Sequence, residues 1–167
     1  MESNTLERNK RIALRGILTA LALILSYIES FIPVSSAVPG IKLGLANIVT
    51  IYALKRLGLK DTLIISMLRI ILATILFGNP AMMVYSISGA LFSILIMSFV
   101  SRFDRIGTLG ISVAGAVSHN IAQCAVASIL LKNTSVFRYL PVLLISGVIA
   151  GIITGMVSGA VLNKVLE

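Results

Sequence analysis

Pro39-Gly40-Ile41-Lys42-Leu43-Gly44-Leu45-Ala46-Asn47 opens the second apolar segment of the chain. Proline and glycine stop one element here, and a new helix is expected to start at once, with Lys42 in its first turn. Gly40, Gly44 and Asn47 then follow at helical spacing on one face. Glycines at i and i+4 let another backbone approach closely. A lysine and an asparagine beside such a seam are costly unless partners or water satisfy them. The stretch reads as the rim of a polar cavity inside a membrane bundle.

The composition supports that setting. Of 167 residues, 57% are hydrophobic and 12% charged, and the mean hydropathy is +1.04. Soluble domains carry about 25% charged residues. The chain reads as an all-α integral membrane protein in the plasma membrane, one domain over 1–167. A formal charge of +8 raises the question of nucleic acid. The cations gather between apolar segments, which fits a lipid bilayer and not a nucleic acid. Cys124 is the single cysteine, so no internal disulfide can form. Residues 1–11 are polar, lack a signal-peptide cleavage pattern and are expected to stay as a cytoplasmic N-terminal segment.

Six segments approach the length of about 20 residues that a crossing helix needs. They are expected at about 12–32, 40–57, 62–77, 80–100, 109–131 and 140–162, a six-transmembrane-helix bundle. Ten Lys and Arg fall on the side of Arg8, Lys55, Arg102 and Lys164, against Lys42, Lys132 and Arg138 on the other, with Arg69 inside a segment. That asymmetry puts both termini in the cytoplasm.

A few residues could carry chemistry. Arg69 lies in mid-segment, where insertion scales charge about 2.5–3.5 kcal/mol. It either faces the interior, as an anion site or ion-pair member, or snorkels to a headgroup. Glu29 is the one acid inside an expected span. It could pair with Lys42, take up protons, meet a cationic ligand or sit in water at a helix end. Lys42 could itself snorkel to phosphates. His119, Asn120 and Gln123 form the polar centre of the fifth segment, with His119 and Gln123 on the small-residue face of Ser112, Gly115 and Ala116. They suit ligand binding, or hydrogen bonds between helices worth about 0.6 kcal/mol each. With one histidine and one cysteine, no metal site is expected. Glu29, Lys42, Asn47, Arg69, His119, Asn120 and Gln123 are therefore the candidate ligand-binding set. Net positive charge there would favour an anionic or amphiphilic ligand.

Two small-residue patterns suit helix packing or a partner. Gly147, Gly151, Gly155 and Gly159 stand four apart in the sixth segment. Gly16-x-x-x-Ala20 and Ala22-x-x-x-Ser26 stand in the first. Catalysis finds no support. The aspartates are Asp61 and Asp104, far apart in sequence, with no DDxxD, nucleotide-binding loop or nucleophile elbow. The chain is expected to be no enzyme and to carry no cofactor.

PGIKLGLAN at 39–47 and AGAVSHNIAQ at 114–123 resemble the family labelled "Gx transporter" or "heptaprenyl diphosphate synthase component I". That family is similar to the substrate-binding S components of energy-coupling-factor transporters. The resemblance implies an S-component-like bundle that captures a small molecule from the outer side and needs a coupling subunit and ATPases. Small residues on the first helix would make the coupling contact, although Gly16–Ala20 and Ala22–Ser26 also fit internal packing. Under the second label, the chain would be a non-catalytic membrane subunit beside a prenyl diphosphate synthase catalytic subunit, in isoprenoid quinone synthesis or membrane redox.

Overall fold

The computed structural model describes residues 2–32 and 43–164. Among these residues there are six α-helices and no β-strand. They are α1 (Glu2–Ser30), α2 (Leu45–Arg56), α3 (Leu59–Phe77), α4 (Pro80–Val100), α5 (Thr108–Leu130) and α6 (Leu140–Lys164). A 3-10 turn, Thr134–Tyr139, leads into α6. The Pro33–Pro39 connection, Gly40 and Lys42 lie outside the described residues.

Local chemistry sets the helix ends. Asn79 caps α4 by accepting a hydrogen bond from the Met82 amide at 2.9 Å, and Pro80 takes the first position, where no N–H is needed. The expected bounds of α4, α5 and α6 hold to within two residues. Two starts differ. Helix α1 begins at Glu2, ten residues before the expected Ile12. Its charged first turns are helical too, with Glu7 and Lys10 paired at i, i+3 and Arg11 and Arg15 reaching Asp61 on α3. Helix α2 begins at Leu45, because Gly44 adopts φ +73°, a left-handed conformation that breaks any helix running on from Gly40. The single face expected for Gly40, Gly44 and Asn47 is therefore interrupted at its middle member.

The helices close into a ring in the order α1, α3, α4, α5, α6, α2, and α2 also touches α3 and α5. One apolar cluster joins Ile51 and Leu54 of α2 to Ile94 and Met97 of α4, Ile111 of α5 and Leu162 of α6. A second joins Leu18 and Ala22 of α1 to Val49 and Ala53 of α2 and Ile65 of α3.

The outside of this ring is apolar. Ile75 is 74% exposed and Ile129 73%, with Phe99, Ile145 and Met156 also turned outward. Hydroxyl residues are turned in: Ser66, Ser93, Ser112, Thr154 and Ser158 are all buried. Ser93 donates to the Gly115 carbonyl at 2.8 Å, Ser112 and Thr154 share a hydrogen bond at 2.9 Å, and Ser158 donates to the Thr154 carbonyl at 2.6 Å. An apolar shell around a hydrogen-bonded polar interior is the distribution a bilayer selects. By length and composition, four helical stretches can cross a membrane: Thr5–Ser30, Pro80–Val100, Thr108–Leu130 and Thr134–Lys164. Helix α3 has 19 residues but includes Lys60, Asp61 and Arg69. Helix α2 has 12 residues, or about 18 Å at 1.5 Å each, short of the roughly 30 Å hydrocarbon core.

Candidate functional site

A cavity of about 60 Å3 lies where the helices meet, and every one of the six lines it. Glu29 comes from α1, Ala46 and Asn47 from α2, Arg69 from α3 and Ser86 from α4. Ala116, His119 and Asn120 come from α5, and Gly147, Ala150 and Thr154 from α6.

Glu29, Arg69, Asn120 and Thr154 are each tied to a neighbouring element by a hydrogen bond. Glu29 stands on the last turn of α1, and its Oε1 accepts the Gly44 amide N–H at 2.6 Å. The left-handed turn at Gly44 caps α2, so this carboxylate also faces the positive end of a helix dipole. Arg69 projects from the middle of α3, and its Nη1 donates to Ser26 Oγ at 3.3 Å. Ser26 in turn donates to the Ala22 carbonyl at 2.9 Å. Ser26 and Glu29 are three residues apart, so one face of α1 presents both to Arg69. The Glu29 carboxylate is close enough to act on Arg69 electrostatically. Asn120 Nδ2 donates to the Leu143 carbonyl on α6 at 2.6 Å.

The His119 ring fits against Gly89 of α4. A Cβ at Gly89 would stand 2.7 Å from His119 Cε1 and 2.9 Å from Gln123 Cγ. Glycine at 89 is thus the condition for seating this histidine beside α4.

Of the seven sequence candidates, Glu29, Asn47, Arg69, His119 and Asn120 line the cavity together. Gln123 does not; it lies one turn further along α5, against Gly89. Lys42 falls outside the described residues, so the described lining carries one carboxylate and one guanidinium.

The glycines of α6 face α5. A Cβ at Gly147 would come within 2.7 Å of Asn120 Nδ2, at Gly151 within 2.7 Å of Val113 Cα, and at Gly155 within 2.9 Å of Leu109 Cα. Gly159 has open space around it. On α1 the two patterns diverge: Ala22 is buried and Ser26 half-buried, facing inward, whereas Gly16 and Ala20 are exposed.

The sequence reading passed over Ser86, Thr154 and Gly89. Thr154 had a usable signal, since Ser146, Thr154 and Ser158 each immediately precede a glycine of the α6 stripe. It also passed over Asp61, whose buried carboxylate accepts from Arg11 Nε at 2.6 Å and from Arg15 Nη2. Burial works against the Asp61 charge, but the hydrogen bonds and positive charges of Arg11 and Arg15 together outweigh it and hold its pKa below the ordinary carboxylate range. Among the described residues no three His, Cys, Asp or Glu side chains gather as a metal site.

An apolar helical shell around a charged, hydrogen-bonding cavity defines a multi-pass α-helical membrane protein. Within that class the chain belongs to the heptaprenyl diphosphate synthase component I family, whose model matches residues 18–161. The matched stretch includes every residue that lines the cavity. Comparison with curated proteins and with solved structures gives no match.

Proposed function

We propose that this chain is a non-catalytic membrane subunit that works beside a separate prenyl diphosphate synthase catalytic subunit and binds a small polar ligand in its central cavity. The family match over 18–161 carries the first half of this reading. The chemistry of the aspartates supports it. Condensing allylic diphosphates calls for carboxylates that hold magnesium on the diphosphate. Asp61 spends both oxygens on Arg11 and Arg15, and Asp104 lies in the loop between α4 and α5. The condensation then belongs to the partner. In this reading the whole chain forms one domain in the plasma membrane, crosses it six times and keeps both termini in the cytoplasm, as the ten-to-three cation asymmetry favours.

The test is cell fractionation with and without the chain. Prenyl synthase activity should sediment with membranes when the chain is present and shift to the soluble fraction when its gene is deleted. An unchanged distribution would count against the subunit role.

One observation favours a second reading. Five candidate ligand-binding residues from four helices converge on one intramembrane cavity, as a substrate-capturing subunit of a transporter requires. There the chain would take a small molecule from the outer side and depend on a coupling subunit and ATPases. Loss of uptake of a specific solute in the deletion strain, with prenyl synthase still at the membrane, would favour it.

A further inference from the structure

The two charges among the described lining residues are left apart where this protein elsewhere brings charges together. At Asp61, two arginines close directly on one buried carboxylate. Glu29 and Arg69 act on one another electrostatically, yet the contact ion pairs among the described residues are Glu7–Lys10, Arg11–Asp61 and Arg15–Asp61. A guanidinium has five N–H donors. Among the described residues Arg69 makes one hydrogen bond, the 3.3 Å contact to Ser26. Glu29 commits one oxygen, to the Gly44 amide. Both groups are half-buried and line the same cavity, among neutral amide and hydroxyl groups from Asn47, Asn120 and Thr154.

Opposite charges that face one cavity without closing on each other leave room for a bridging partner of matching polarity. A simple anion would satisfy Arg69 and be repelled by Glu29. A simple cation would do the reverse. A molecule with both charges satisfies each end. We infer that the cavity is a receptor for a small zwitterion, its cationic amine against Glu29 and its anionic carboxylate against Arg69. This deepens the ligand-binding half of the proposed function and rests on it. The volume of about 60 Å3 limits the occupant to a few heavy atoms, since sites for drug-sized molecules run from about 300 Å3.

The test uses the full chain in detergent, with binding read by calorimetric titration and by the thermal unfolding midpoint. The probes are glycine, β-alanine and 4-aminobutanoate, which step through charge separation. Acetate and ethylammonium serve as single-charge controls. The best zwitterion should saturate at a concentration at least tenfold below either control, and Glu29→Gln should bring it down to the level of acetate. Acetate or ethylammonium binding as tightly as the best zwitterion would overturn the zwitterion assignment and leave cavity binding standing. No saturable response to any probe, from protein with a cooperative unfolding transition, would overturn both. Because the wild-type panel alone separates these outcomes, the test survives a variant that does not fold.

Discussion

Arg69 and Asp61 show two ways in which one chain handles a charge away from water. Asp61 is fully enclosed and closed on by two arginines. Arg69 faces a cavity with Glu29 near it. Replacing Arg69 by alanine removes the counter-charge near the half-buried Glu29 carboxylate and the hydrogen bond to Ser26. The unfolding midpoint in detergent should fall accordingly, and Arg69→Gln combined with Glu29→Gln should recover part of the loss. A wild-type midpoint in Arg69→Ala would show that the guanidinium reaches a headgroup instead. Asp61 predicts a pH effect. Its folded pKa lies below the unfolded value of about 3.9. Its contribution is therefore complete above that value and is lost as pH falls through the lowered folded pKa. Asp61→Asn should destabilise the protein at neutral pH and flatten the acid limb of its stability profile. An acid limb unchanged in the variant would contradict this. Arg69 was legible in the sequence because its cost in mid-segment is high whatever surrounds it. Asp61 was not, because its partners stand 46 and 50 positions away, Arg15 at the start of the first apolar segment and Arg11 at the end of the polar stretch before it.

Among the elements, the long apolar helices were read nearly residue by residue, since apolar length and the Asn-Pro cap of α4 are local signals. Helix α1 was read short because its first turns are polar, and what orders them is a tertiary contact with α3. Helix α2 was read long because nothing in a single sequence reports that Gly44 is left-handed. The glycine stripe of α6 was recognised, but not its direction, since periodicity marks a face without naming what lies opposite. Contact distances give its members different weights. A methyl at Gly151 meets the backbone of Val113 at 2.7 Å, whereas one at Gly159 meets nothing within 4 Å. Gly151→Ala should therefore cost about 1–3 kcal/mol through overpacking, and Gly159→Ala should be tolerated. Equal thermal midpoints for the two variants would remove the α5–α6 seam from the account.

For the molecule as a whole, composition alone pointed to a bilayer, and the apolar shell around hydroxyl-lined contacts agrees with it. The convergence of six helices on one small cavity was only half legible. Each polar residue could be found by its cost in lipid. Their meeting in space depends on the ring order of the helices, which periodicity does not encode. The chain's membership of the heptaprenyl diphosphate synthase component I family supports the proposed synthase partner. The central claim, a membrane subunit with a small ligand and a separate catalytic partner, is tested most directly by native mass spectrometry of the chain drawn gently from its own membranes. The account predicts a complex with a prenyl synthase catalytic chain, together with a bound mass of a few heavy atoms that is lost in Arg69→Ala. An ATPase-linked coupling protein in place of the synthase, or a chain that emerges alone and without ligand, would contradict it.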